Sequence, residues 1–110
     1  MGKDMQRMMK QAQKMAAEMQ RAQEELAEQA VEGSAGGGAV KAVVTGDQRV
    51  VSVAISADVF DGEPDADDLE MLGDTVTAAV NDALDKARAK QAEALGPLAG
   101  GMGGLGLPGM

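Results

Sequence analysis

Apolar residues recur along the first thirty positions in alternating steps of three and four. Met5, Met8, Ala12, Met15, Met19, Ala22 and Leu26 keep that rhythm, the heptad spacing that lays a seam along one side of an α-helix. The residues between them are strong helix formers, and no Gly or Pro interrupts positions 3–30. The pattern predicts a helix from about Lys3 that stops near Glu32-Gly33, with a short strand around Ala30–Ser34 as a further sheet member. Ala35-Gly36-Gly37-Gly38-Ala39 reads as a turn or flexible connection. Val40–Thr45 and Arg49–Ser56 are rich in β-branched residues, and Gly46-Asp47 between them supplies hairpin chemistry. In the second run Val51, Val53 and Ile55 alternate with Ser52, Ala54 and Ser56, so one face is apolar.

Asp61-Gly62-Glu63-Pro64 reads as a linker. Pro64 suits the first turn of a second helix, and Asp67 with Glu70 resembles a capping box. That helix is expected from about Asp65 to Leu95, apolar at Leu69, Leu72, Val76, Val80, Ala83, Leu84 and Ala87, with Gly96-Pro97 ending it. The expectation is therefore one α+β domain over residues 1–95 and a flexible Gly-rich tail over 96–110, where seven of fifteen residues are Gly.

Length turns this pattern into an argument about partners. A helix of about 28 residues is roughly 42 Å long, whereas strands of six to eight residues span roughly 20–27 Å. So small a sheet leaves both helices overhanging, the first with its Met-rich seam uncovered. The core is small and holds one aromatic, Phe60. A second copy is the simplest cover, with Met5, Met8, Met15 and Met19 of the seam and Val51, Val53 and Ile55 of the strand as dimerisation residues.

The formal charge of −8 argues against nucleic acid until it is read by segment. Residues 1–21 hold five cations against two acids, a balance of +3; residues 58–74 hold eight acids and no base. At 100° per residue, Lys3, Arg7, Lys10, Lys14 and Arg21 fall within an arc of roughly 60°, centred roughly 140° from the seam. With the seam buried in a dimer, they form a ridge able to follow phosphates without reading bases. The alternative is an ordinary solvated polar face. Against that, cations at a helix N-terminus oppose the macrodipole, which points to another use. Lys86, Arg88 and Lys90 form a second basic group, although cations also suit a late helix position and these three alternate around the helix.

Other chemistries find little to work with. The chain has no His and no Cys, which removes the usual general base, the best nucleophile and disulfides. The Met stripe is placed for packing rather than thioether ligation. The acidic run lacks the calcium-loop pattern, and its acids fit a helix start. The glycines at 36–38 lack the Lys-Ser/Thr of a phosphate-binding loop. No enzyme activity, metal, cofactor or small-molecule substrate is expected. Nothing is apolar for about 18 residues, as a membrane span requires. The opening residues lack a secretory apolar run, and Gln6 stands where myristoylation wants Ser or Thr. The expected compartment is the cytoplasm.

Several segments, in order, resemble the YbaB/EbfC family. They are Met9-Lys10-Gln11-Ala12-Gln13, Gly38-Ala39-Val40-Lys41-Ala42, Gly46, Asp68-Leu69-Glu70-Met71-Leu72, Ala78-Ala79-Val80-Asn81-Asp82-Ala83 and the closing Leu107-Pro108-Gly109. The resemblance implies an α-β-β-β-α protomer with a small antiparallel sheet, in a tweezer-like homodimer with two long projecting helices. It also implies a nucleoid-associated protein that binds double-stranded DNA and can influence gene expression. By the same resemblance DNA contact falls to the projecting helices: Lys10 within its motif, Arg7 and Lys14 by helix face, and Lys86, Arg88 and Lys90 in the second helix. The chain departs from the family pattern in its longer Asp61–Pro64 linker and its acidity. The rival reading is a dimeric protein-interaction adaptor that uses exposed Met-rich helices or the tail.

Overall fold

The computed structural model describes residues 2–103, with side-chain surroundings for residues 2–97. The elements run α1 (Gly2–Glu28), β1 (Ala30–Ala35), β2 (Val40–Thr45), β3 (Val50–Ile55) and α2 (Ala66–Gly103). The α-β-β-β-α order is the one expected. The sheet is antiparallel in the order β1-β2-β3. The molecule is elongated, 76 × 31 × 18 Å, and its radius of gyration of 21.0 Å far exceeds the roughly 13 Å of a compact 100-residue domain.

Alternation decides which face of the sheet is buried. Val31, Gly33 and Ala35 of β1 pair with Val44, Ala42 and Val40 of β2, and this face meets α2. The core is Val31, Val40, Ala42, Val44, Ala79, Ala83 and Ala87, bordered by Leu72, Val76, Val80 and Leu84. The alanines of α2 let helix and sheet approach closely, and Gly33 completes the fit. A Cβ at Gly33 would stand 2.6 Å from the Ala83 Cα and 2.7 Å from the Ala79 carbonyl oxygen. α2 also guards the free edge of β1, because the outward Ser34 N–H donates to Asp82 Oδ2 at 3.0 Å. Edge N–H groups left open invite pairing with other chains.

Four local details differ from the sequence reading. The first helix ends at Glu28 rather than near Glu32. The Gln29 N–H bonds the Leu26 carbonyl and the Gly46 N–H bonds the Gln29 carbonyl, so pairing with β2 outweighs helix propensity from residue 30 onward. The second helix is capped by Asp65, not Asp67. Asp65 Oδ1 accepts the Asp68 N–H at 2.8 Å, and Asp68 Oδ2 accepts the Asp65 N–H at 3.0 Å, a reciprocal box that leaves Pro64 ahead of the cap. The hairpin turn spans Gly46–Gln48, and the residue with positive φ is Gln48, at 70°. Gly46 is required for another reason: a Cβ there would lie 2.6 Å from the Leu26 carbonyl oxygen.

The fourth difference concerns the end of α2. It passes through Gly96 and Pro97 and continues to Gly103. Proline deletes one helical N–H bond, and the helix on either side spans that gap. Of the expected tail, 96–103 are therefore helical, and 104–110 lie outside the described residues.

Candidate nucleic-acid interface

α1 leaves the body of the molecule at the hairpin tip. Buried Leu26 sits against Gly46, and α1 meets the sheet only at β2, with further contacts to α2. From there it extends outward, and residues 2–14 are exposed without exception. Its 27 residues correspond to roughly 40 Å.

Burial divides the Met seam in two. Leu26 is buried, and Met15, Met19 and Ala22 are half-buried within the protomer itself. Met5 and Met8 remain 67% and 69% exposed. Only the outer half of the seam is left for a partner to cover entirely.

Lys3, Arg7, Lys10, Lys14 and Arg21 are all exposed. Among the described residues the ion pairs are Lys86 Nζ–Asp82 Oδ2 at 3.1 Å and Arg88 Nη1–Asp85 Oδ1 at 2.9 Å, so no cation of α1 has an acidic partner. The second basic group is different. Lys86 is tied to the carboxylate that holds the β1 edge, and Arg88 to the preceding turn of its own helix; Lys90 is exposed without such a pair. The Ser34 N–H and then Lys86 hold the Asp82 carboxyl below its ordinary value.

The strand residues expected at a subunit contact are open. β3 is exposed along its whole length. Val53 and Ile55 pair with Ala42 and Val40 and so share the core-facing side, yet α2 lies over β1 and β2 and leaves them 39% and 46% exposed. Val51 falls within an irregularity opposite Val43 and Val44, and is 62% exposed. The strict alternation read from sequence is thus broken at Val51 by a bulge.

The acidic run lies around the start of α2, where β1 and β2 are joined. A cleft of about 360 Å³ opens there between Gly36, Ala39, Val59, Phe60, Leu72 and Thr75, with Asp58 and Asp68 at its wall. No group of three or more potential metal ligands converges among the described residues, and no helix among them is long and apolar enough to cross a membrane. Sequence reasoning missed the Asp82 contact with β1 and a contact between Gln48 and Gln91. Neither has a signature, because both partners are far apart in sequence and of unremarkable type.

A small sheet that carries a long helix outward, with five exposed cations along positions 3–21 of that helix, defines a class: an elongated α+β protein with a projecting helical arm. Comparison with known proteins narrows the class. The model of the YbaB/EbfC DNA-binding family matches residues 1–102, and the chain belongs to that family. Similar proteins include a nucleoid-associated protein of Streptomyces avermitilis, 49% identical over 107 residues and covering 97% of this chain and 91% of that one. One from Nocardioides sp. is 50% identical over 109 residues, covering 98% and 87%. Another, from Pelotomaculum thermopropionicum, is 47% identical over 102 residues, covering 93% of each. In architecture the chain is similar to the crystal structure of an uncharacterized protein from Helicobacter pylori. The TM-score is 0.68 at 20% identity, over 90% of this chain and 94% of that one.

Proposed function

We propose that the chain is a nucleoid-associated protein that binds duplex DNA as a homodimer, largely without sequence specificity, through the outer face of α1. The observation that carries this reading is the row of five exposed α1 cations with no acidic partner. From Lys3 to Arg21 the row is roughly 27 Å long, while a duplex carries about one negative charge per 1.7 Å of its axis. Phosphates outnumber the cations they face, so contact needs no particular register, and contacts to phosphate position a protein without carrying sequence information. Binding works by counterion release and involves no chemical step, metal or cofactor. Its place in the cell follows from the partner: the nucleoid, within the cytoplasm.

The second copy supplies cover for the apolar surface that one chain leaves open, namely Val51, Val53 and Ile55 on β3 and Met5 and Met8 on α1. Met15 and Met19 contribute the part of their surface that α2 leaves free. Lys90 adds to the basic surface, with Lys86 and Arg88 weakened as phosphate ligands by their carboxylate partners.

Fluorescence anisotropy with duplexes of unrelated sequence tests this. With about five phosphates neutralised, log affinity against log salt should have a slope of roughly −4 to −5. Replacing Arg7, Lys10 and Lys14 with Ala should weaken all duplexes alike and flatten that slope. Absence of binding at low salt would overturn the reading. Sedimentation of Val53→Asp should show monomers where the natural chain shows dimers. The adaptor reading draws on the exposure of Met5, Met8 and Met9; recovery of one stoichiometric protein partner after nuclease treatment would favour it.

A further inference from the structure

We infer that the tip of the β2–β3 hairpin is a bracket that sets the angle between the two helices, with Gln48 and Gln91 as its positioning pair. α1 has few supports: it touches no strand but β2, and otherwise rests on α2. Apart from the chain link through Gln29, its attachment to the sheet is confined to β2 and the turn that follows it. On the α1 side of that turn, the Gly46 N–H donates to the Gln29 carbonyl at 3.1 Å, and Gly46 lies flush against Leu26. On the α2 side, the Gln48 amide donates to Gln91 Oε1, with both side chains half-buried. The same three-residue turn thus holds the end of one helix and the last part of the other that lies beside the sheet.

The turn is built to be stiff. The Thr45 N–H bonds the Arg49 carbonyl at 2.8 Å, the Gln48 N–H bonds the Thr45 carbonyl at 2.9 Å, and the Thr45 hydroxyl accepts the Arg49 N–H at 3.0 Å while bonding Asp47. Gln48 adopts φ 70°, a conformation that costs an L-residue energy and that glycine adopts freely. A turn selected for ease alone would carry Gly or Asn there. Gln instead supplies a side chain long enough to reach across to α2, and the contact with Gln91 offsets the strained backbone. Outward of Met15 α1 is fully exposed, so its direction is set by its footing on α2 and at this turn. The bracket turns two overhanging helices into arms of fixed splay. Its use in fixing where the α1 cations meet a duplex rests on the DNA-binding reading above; the bracket itself does not.

The test needs no DNA, so its failure and the failure of that reading are distinguishable. The chain has no cysteine, so Gln13→Cys on α1 and Ala89→Cys on α2, both exposed, take spin labels uniquely. Labelled chain is diluted with unlabelled chain so that only distances within a protomer are read. The full-length protein should give a narrow distribution. Gln91→Ala and Gln48→Gly should each broaden it at least twofold. Gln48→Gly relieves the positive φ, so its melting temperature should not fall, which separates positioning from loss of fold. Gln48→Lys combined with Gln91→Glu, which re-forms the contact as an ion pair, should restore the narrow distribution. Distributions for Gln91→Ala and Gln48→Gly that superimpose on that of the natural chain would overturn the bracket. Broadening that the charged pair fails to reverse would overturn the pairing.

Discussion

Substituting Gly33 with Ala adds one methyl group at the closest approach between β1 and α2, and the structure supplies the magnitude. The new carbon would lie 2.6 Å from the Ala83 Cα and 2.7 Å from the Ala79 carbonyl oxygen, whereas carbon atoms rest about 3.5–4.0 Å apart. No side-chain rotation relieves this, because both neighbours are backbone. α2 must withdraw by roughly 1 Å, and a gap of that size forfeits a quarter to a half of each dispersion contact it opens. The withdrawal affects the core as a whole, since Val31, Val40, Ala42 and Val44 face Ala79, Ala83 and Ala87 across the same interface. Overpacking costs about 1–3 kcal/mol, and backbone against backbone puts this case at the upper end. At about 3 kcal/mol the melting temperature falls by roughly 12–24 °C for a chain of this size. Thermal melts followed by far-ultraviolet circular dichroism, with urea titrations at fixed protein concentration, measure it. Gly73→Ala serves as the contrast. Gly73 is a helical, exposed position where a Cβ meets nothing within 4 Å, and Ala there should stabilise by about 0.5–1 kcal/mol. If Gly33→Ala melted within a few degrees of the natural chain, the close-approach argument would be wrong.

Asp65→Ala removes the cap of α2 and should cost about 1 kcal/mol, or roughly 4–8 °C in the melt, whereas Asp67→Ala should cost less. Gly46→Ala drives a carbon into the Leu26 carbonyl and should destabilise by about 1–3 kcal/mol; hydrogen exchange should then quicken first at the C-terminal end of α1. Asp82 has a lowered folded-state pKa, so its ionisation stabilises the fold above the ordinary value of 3.8, and that contribution is lost as pH falls through the lowered value. Asp82→Asn should therefore be less stable at neutral pH and have a shallower acid limb. Acid limbs that coincide in urea titrations from pH 6 to pH 2 would count against it.

The sequence by itself determined the order and nature of the elements. Heptad spacing from Met5 to Leu26 and the β-branched runs at 40–45 and 49–56 are local patterns, and local patterns are legible because each follows the repeat of its own backbone. The cation arc was legible for the same reason, since helix geometry alone places Lys3, Arg7, Lys10, Lys14 and Arg21 on one side. Whether those cations were free was a matter of tertiary structure. Among the described residues none of them pairs with a carboxylate, although Glu18 and Glu25 stand at helical spacing from Lys14 and Arg21, while Lys86 and Arg88, of the same residue types, are engaged by Asp82 and Asp85. The end of α1 at Glu28 depended on a strand partner fifteen residues away from Ala30, at Thr45. The division of the Met seam depended on how far α2 reaches along α1. The purpose of Gly33, Gly46 and Gln48 depended on which backbone or side chain each one meets. Periodicity reports which face of an element is apolar; only packing decides what covers that face and how much of it remains open.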